Sequence, residues 1–509
     1  MPTLAQIARA FPDTRVQGNS EVMVTGATHD SRQVRPGFLF AAMAGDLTDG
    51  RRFIDDAITR GAVALLVGAQ VPLDLPQIVT ADPRVALGPI SSACYSDPTR
   101  ELALVGITGT NGKTTITYMV EAMLDSVGHH PGVMGTVAHR FKERTWNDEH
   151  TTPEAPVIQS VVRAMVDDGA SHMLMEVSSH GLALHRLKGC AFDVVAFTNL
   201  TQDHLDFHGD MGEYAAAKLL LFTDVIEGIS DARAVINIDD PFSRVILERL
   251  KKPAVTVSCD PSSVADIRPV NKPGYDIGGI NARIHTPSGV FDLSSPLLGP
   301  HNMNNILVSM GICIQLRVDI VKAIDGLERF EAVPGRLQRV PCKRGFTVLV
   351  DYAHTPDALV SVLRALKPIT EGRLICVFGC GGDRDHSKRP LMGDAVARGA
   401  DVAIVTSDNP RTEDPEKIVE MILPGVDGGE LAMIAQSELR QASSGYAVEV
   451  DRGRAISMSL QCATVGDTVL IAGKGHEDYQ ILGKSKIHFD DAEHAAAAIA
   501  SLEKEGADA

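Results

Sequence analysis

The sequence predicts an α/β protein of three domains: a small N-terminal α/β domain, a central domain of P-loop type with a mainly parallel sheet, and a C-terminal α/β domain. Three observations carry this expectation. The 509 residues exceed what one hydrophobic core organises. The stretch ELALVGITGTNGKTTITYMVEAML, Glu101 to Leu124, reads as apolar strand, glycine-rich turn and helix, with Ile116, Met119, Val120, Met123 and Leu124 spaced three and four apart. After Pro334-Gly335, four apolar runs each end in a polar cluster, the pattern of a parallel sheet that presents loops along one rim.

Composition narrows the function classes. A formal net charge of -17 argues against a general nucleic-acid binder, which would show a basic face. Eight cysteines without CxxC spacing indicate neither a disulfide framework nor structural zinc. The N-terminus MPTLAQIARAFPDTR lacks the basic end and apolar core of a signal peptide, and no apolar run approaches a membrane span. The expectation is a cytoplasmic monomer without membrane insertion.

Residues 1–99 are expected to alternate strand (Gly37 to Ala42), helix (Phe53 to Thr59) and strand (Ala62 to Val67), with a linker at Ser96 to Arg100. THDSR, Thr28 to Arg32, and DGRRF, Asp49 to Phe53, read from the residues alone as polar loops.

In residues 100–334 the glycine turn exposes N–H groups beside a helix N-terminus, where the orphan amides and the positive dipole end favour phosphate. Gly109 and Gly112 let the chain approach an anion, Lys113 supplies a point charge for the β/γ-phosphates, and Thr114 offers a hydroxyl to Mg²⁺. The strict phosphate-loop pattern wants glycine where Ile107 stands. Glu176 stands near the end of the run MLMEV, which leads into SSH, where a carboxylate is either exposed or matched by a cation. In DHLDFHG, His204 and His208 have helical spacing, but Leu205 replaces the glutamate a zinc protease needs, which leaves a loop histidine or one ligand in a magnesium shell. Lys218, in EYAAAKLLLF, is either a helical lysine lying along apolar surface or a desolvated amine able to form a carbamate with CO₂. Ser179 lacks the glycine two residues before it that a nucleophile elbow requires.

In residues 335–509 the runs FTVLV, RLICVFG, DVAIVTS and DTVLIAG lead into DYAHTP, CGGDRD, DNPR and KGHE, and a closing helix is expected from an Asp490 cap to Leu502. Arg384 and Arg411 at these strand ends suit a carboxylate ligand, although a solvated arginine is an equal reading of either taken singly. Gly381, Gly382, Gly473 and Gly475 fit loops that come close to something.

Taken together, GTNGKTT, EVSSHGL, TNLTQDHLDFHG, AAK, LLGPHNMNN, PGRLQ, DYAHTP, GCGGDRDHSKRP, DNPR and AGKGHEDYQ, in this order across the chain, closely resemble the Mur ligases. The likeness is sharpest in the second and third domains and points to the members that add meso-diaminopimelate to a UDP-linked muramoyl dipeptide. It implies a uridine-nucleotide domain, an ATPase domain and a Rossmann-like amino-acid domain. By motif, Ser31, Thr151, Thr152, Ser178 and Arg186 would contact the UDP-linked substrate. Gly109, Thr110, Asn111, Gly112, Lys113, Thr114 and Thr115 would hold the ATP phosphates, and Asn305, Arg336 and Asp351 the adenosine side. Thr114, Glu176, His204 and a carbamylated Lys218 would bind Mg²⁺, and Lys113, Glu176, His204 and Lys218 would serve catalysis. Arg384, Asp408, Asn409, Pro410, Arg411, Gly473 and Glu477 would form the diaminopimelate pocket. The chain departs from some relatives at Leu184, where they have glutamine, and at Asp46 and Leu47, where a His-Gln pair follows the glycine.

The implied reaction is amide synthesis through an acyl phosphate, which converts a poor acyl donor into a good one. Positioning the reactants contributes roughly 7 to 11 kcal/mol, with domain closure expected in the cycle. A lysine-adding or folylpolyglutamate-type ligase is the nearest rival, and DNPR with the uridine-type first domain speaks against both. A GTPase switch would need Asn-Lys-x-Asp, whereas the candidate at Asn271 ends in Gly274. A binding module without catalysis would not need Glu176, His204 and Lys218 beside the arginine rim.

Overall fold

The computed structural model describes residues 1–43, 49–429 and 431–507. Asp46 and Leu47, singled out by the sequence, lie outside the described residues. The chain divides into two compact units: residues 1–272 with 283–291 and 304–327, and residues 273–282, 292–303 and 328–509. Among the described residues no helix is long and apolar enough to cross a membrane.

In the first unit the N-terminal residues form a five-stranded sheet, in the order Arg15–Gln17, Gln77–Val79, Ala64–Val67, Phe38–Ala41, Gly26–Thr28. The expected strands and helix are present within one or two residues, and the linker folds as a 3₁₀ turn, Pro98–Arg100. This sheet's core takes in Ala155, the first residue of the helix Ala155–Asp167, so the N-terminal and central parts share apolar packing.

The central sheet is eight-stranded. Its strand Ala103–Thr108 runs parallel between Val194–Phe197 and His172–Glu176. These strands are almost wholly buried and mostly apolar, with Thr108, His172 and Glu176 at strand ends, because both faces are covered, as parallel sheets require. Register then decides the chemistry: Glu176 pairs with Ile107 and Phe197 with Thr108, so the turn after Thr108 is flanked by Glu176 on one side and Thr198-Asn199 on the other.

The second unit contains a six-stranded sheet in the order Gln338–Val340, Thr347–Asp351, Thr468–Ala472, Leu374–Phe378, Val402–Val405, Gly445–Val448, parallel after its first pair. Side chains alternate between faces. Leu349, Cys376, Phe378, Ala403, Val405 and Leu470 pack with the helices Pro356–Leu366, Lys388–Gly399 and Pro415–Asp427. Val348, Val350, Ile375, Val377, Ile404 and Ile471 pack with Arg452–Cys462 and Asp491–Ala507. Helices on both faces of a parallel sheet make this the doubly wound, Rossmann-like arrangement. The last helix runs beyond Leu502 to Ala507, and the Asp490 carboxylate accepts from Ala492 and Glu493 N–H groups.

Candidate active site

The glycine turn is held by its neighbours' strand ends. Thr110 N–H donates to the Asn199 carbonyl and Asn111 N–H to Asn199 Oδ1, each at 2.9 Å, and Thr198 Oγ1 donates to the Asn111 carbonyl at 2.6 Å. Gly109 has φ +149° and Gly112, which caps the helix Lys113–Ser126, has φ +91°. A Cβ at Gly109 would collide with Thr198 Oγ1, and one at Gly112 would lie 2.5 Å from Asn305 Oδ1. Asn305 is thus brought against the turn. Lys113 Nζ donates to the carbonyls of Gly109 and Thr110 at 2.9 Å each. The amides of Lys113, Thr114 and Thr115 precede the first helical bond, Ile116 N–H to the Gly112 carbonyl, the arrangement that suits phosphate.

Beside the turn, Glu176 is 1% exposed. Its Oε2 accepts from Thr114 Oγ1 and Thr136 Oγ1 at 3.0 Å each, and its Oε1 accepts from Thr136 N–H at 3.1 Å. No motif marks Thr136, which reaches the carboxylate from the connection after the strand Pro131–Met134. This cluster is one carboxylate with hydroxyls, all hard oxygen donors. Among the described residues no group of three or more His, Cys, Asp or Glu is disposed to hold a metal. Such a sparse set fits Mg²⁺, which keeps waters and draws its other ligands from substrate phosphates.

Lys218, in the helix Met211–Leu219, is 1% exposed. Its Nζ donates to the Gly109 carbonyl at 2.9 Å and lies 4.5 Å from the centre of the Tyr214 ring. Burial, and then Lys113, push its amine well below the ordinary lysine range. His204 is half exposed, has φ +54°, and sits 4.9 Å from the His180 ring and 6.2 Å from the Tyr214 ring. Tyr214 hydroxyl meets Thr110 Oγ1 at 3.1 Å, which links the His204 loop to the glycine turn.

The proposed substrate residues form a second cluster in the same unit. Thr151 Oγ1 lies 3.0 Å from Thr136 Oγ1. Thr152 Oγ1 donates to the Glu176 carbonyl at 2.8 Å and accepts from Ser178 N–H at 2.9 Å. Ser178 caps the short helix Ser179–Ala183, whose last residue precedes Leu184. Arg186, 8% exposed, donates to the Thr152 carbonyl and to Glu154, each at 2.8 Å. Glu154 is also gripped by both Nη atoms of Arg84, at 2.6 and 2.9 Å. Burial pushes the Glu154 carboxyl up, and Arg84 with Arg186 more than offset this, leaving it below its ordinary value. The two arginines come from distant segments, so the sequence offered no pattern linking them to Glu154. Ser31 is buried on the N-terminal part, where it meets Asp56.

In the second unit, the polar ends of adjacent strands converge. Arg411, at φ +52°, donates to the Gly382 carbonyl at 2.7 Å. A Cβ at Gly381 would lie 3.0 Å from Arg411 Nη1 and 3.8 Å from Arg384 Cγ, so both arginines flank one glycine. Arg384 itself is exposed. Behind them Arg389, fully buried, binds both oxygens of Glu413, at 3.0 and 2.9 Å, and Glu413 also accepts from Asp383 N–H at 2.5 Å, bracing the two loops. Asp408, Asn409 and Pro410 are buried, and Asn409 Nδ2 donates to Glu477 Oε2 at 2.9 Å. Gly473 approaches Asp408: a Cβ there would be 3.2 Å from Oδ2. Burial, then Asp408, push the Glu477 carboxyl up. Asp351 accepts from Leu337 and Ala353 N–H groups at 2.8 and 2.9 Å, and burial raises its pKa against the pull of Arg336. The Arg336 guanidinium lies 4.8 Å from the Tyr352 ring centre.

Comparison with known proteins gives three family matches along the chain: "Mur ligase family, catalytic domain" over residues 23–96, "Mur ligase middle domain" over 107–313, and "Mur ligase, glutamate ligase domain" over 335–475. The UDP-N-acetylmuramoyl-L-alanyl-D-glutamate–2,6-diaminopimelate ligase of Geobacter metallireducens is 43% identical, covering 99% of both chains. That of Gloeobacter violaceus is 44% identical, covering 98% of both. A solved structure of a ligase with the same name superposes with TM-score 0.74 at 32% identity, over 99% of this chain and 100% of that one. MurF ligase from Thermotoga maritima in complex with ADP shares the fold, with TM-score 0.60 at 19% identity, over 96% of this chain and 100% of that one.

Proposed function

The chain belongs to the Mur ligase family, and from that premise we infer that this ATP-dependent amide ligase adds diaminopimelate to UDP-N-acetylmuramoyl-L-alanyl-D-glutamate in peptidoglycan synthesis. The observation that carries the choice of amino acid is the cluster of Arg384, Asp408, Asn409, Arg411 and Glu477 around Gly381 and Gly473. It offers acidic groups for an ammonium and guanidinium groups for a carboxylate, and the far-end carboxylate is what diaminopimelate has and lysine lacks. We assign residues 1–99 to the UDP-substrate domain, 100–334 to the ATPase domain and 335–509 to the amino-acid domain, and place the enzyme in the cytoplasm.

In this reading Gly109 to Thr115 cradle the triphosphate, and Lys113 exchanges its loop carbonyls for phosphate oxygens. Asn305, Arg336 and Asp351 take the adenosine side. Mg²⁺ would be held by Thr114 and Glu176, with His204 and carbamylated Lys218, and when bound it neutralises charge on the transferring phosphoryl group. Thr151, Thr152, Ser178 and Arg186 orient the muramoyl dipeptide so that its terminal carboxylate meets the γ-phosphate. Phosphoryl transfer gives an acyl phosphate. The free amine of meso-diaminopimelate then attacks the acyl carbon, and phosphate leaves as the amide forms. Reaction of the neutral Lys218 amine with CO₂, with release of a proton, would put a carbamate anion beside Lys113 in place of a cation, which suits a metal-binding role.

The test is ADP release by the purified protein given the UDP-linked dipeptide with diaminopimelate, with lysine, or with no amino acid. Release that needs the dipeptide and is much faster with diaminopimelate supports the reading. Release indifferent to the amino acid would refute it.

A further inference from the structure

The pocket around Glu477 contains a charged residue that the motif comparison leaves without a role. Lys474, in the loop after the strand Thr468–Ala472, is fully buried. Its Nζ donates to Asn409 Oδ1 at 3.2 Å, stands 3.6 Å from Asp408 Oδ1 and 3.7 Å from Glu477 Oε2, and lies 5.5 Å from the Tyr479 ring centre. A buried ammonium placed among three such groups is costly unless they need it.

The surrounding charges show what it balances. Arg452, another buried cation here, is committed to Asp491 through two bonds of 2.7 and 2.6 Å, and to the carbonyls of Ser407 and Ala472, as Arg389 is to Glu413. Each pair is neutral. Arg411 faces the pocket from the DNPR loop with a bond to the Gly382 carbonyl. Tyr352 and Tyr479 also face Glu477, and His354 and Cys380 face Asp408. With Arg411 set aside for the ligand's carboxylate, Asp408 and Glu477 against Lys474 leave one negative charge, and Asp408 Oδ1 is a buried acceptor with no hydrogen-bond partner. One negative charge with a free acceptor is the complement of one ammonium group.

Resting on the reading of this pocket as the amino-acid site, we propose that Lys474 is a positioning residue: it faces both Asp408 and Glu477 and holds the two carboxylates in place, so that the three together are a preformed receptor of single negative charge for the ammonium of diaminopimelate. Without it, burial and the neighbouring Asp408 would hold the Glu477 carboxyl still further above its ordinary range, because Lys474 is one of the groups that pull it down, and the receptor would be weakened. Arg411 discriminates by the carboxylate, whereas Lys474 acts on the ammonium end that diaminopimelate shares with lysine.

Charge counting gives a test that packing alone cannot mimic. Lys474→Met removes the balancing cation, so the KM for diaminopimelate rises by about tenfold or more, the scale of a lost charged hydrogen bond. Its KM for ATP stays near that of the wild type, and the acid limb of kcat/KM for diaminopimelate moves to higher pH. Glu477→Gln alone leaves the pocket neutral and also binds poorly. Adding Lys474→Met to Glu477→Gln restores the single negative charge and lowers the KM again. A lysine removal that harms the wild type yet helps the Glu477→Gln variant supports the proposal. Should Lys474→Met fail to fold by circular dichroism, the comparison of Glu477→Gln with the double variant decides alone. A double variant no better than Glu477→Gln would overturn the role of Lys474. The reading of the pocket would instead fall if Arg411→Ala left the KM for diaminopimelate unchanged.

Discussion

Lys218 shows how far a single side chain can be read. Sequence left it between a surface lysine and a reactive amine, and its burial against the Gly109 carbonyl removes the first reading. Lys218→Ala is expected to lower turnover by about 10–100-fold, the range for lost support at a metal site. A short carboxylate such as formate should restore part of the rate. Full activity without the additive would exclude a carbamate. Arg411 carries selectivity rather than rate. Because it is only part-buried and already holds the Gly382 carbonyl, the loss on Arg411→Ala should be about 10–100-fold in kcat/KM for diaminopimelate, as for a charged hydrogen bond. Turnover of lysine should change little, and equal loss for both would show that Arg411 only shapes the loop.

At the scale of elements, the strand, turn and helix around Gly112 depend on backbone freedom. Gly112→Ala puts a side chain at φ +91°, costing about 1–2 kcal/mol, and presses on Asn305. Lower thermal stability and weaker ATP binding are expected together; a change in stability alone would separate Asn305 from the nucleotide. The helix Ala155–Asp167 is tied to the N-terminal part by Glu154 and Arg84. Glu154→Gln should destabilise by an amount near the lower end of about 3–5 kcal/mol for a broken buried pair, because Arg84 is 30% exposed. The folded carboxyl lies below its ordinary value of 4.5. Its contribution is therefore fully present above that value and lost as pH falls through the lower folded one. Urea midpoints measured against pH should show this acid loss in the wild type and a smaller one in the variant.

For the whole molecule, the expectation is coupling of substrates: ADP release should need ATP, the UDP-linked dipeptide and the amino acid together, and omission of any one should leave only background in a coupled assay. The sequence alone determined the α/β class, the strand ends and the glycine turn, because alternation of apolar runs with glycine and polar clusters is a local property. GTNGKTT, DNPR and KGHE were legible for the same reason: each keeps its chemistry within a few residues. What tertiary structure decided is everything that depends on register and on packing between distant segments. Parallel pairing of Glu176 with Ile107 set a carboxylate beside the turn, and Thr136 reached it from a connection without any motif. Arg84, Glu154 and Arg186 met because the start of the helix Ala155–Asp167 packs against the core of the N-terminal sheet. Lys474, one letter in a recognisable motif, acquired its meaning from burial among Asp408, Asn409 and Glu477. The physical reason is that charge balance is a property of a desolvated volume, and a linear pattern does not say which residues will share one.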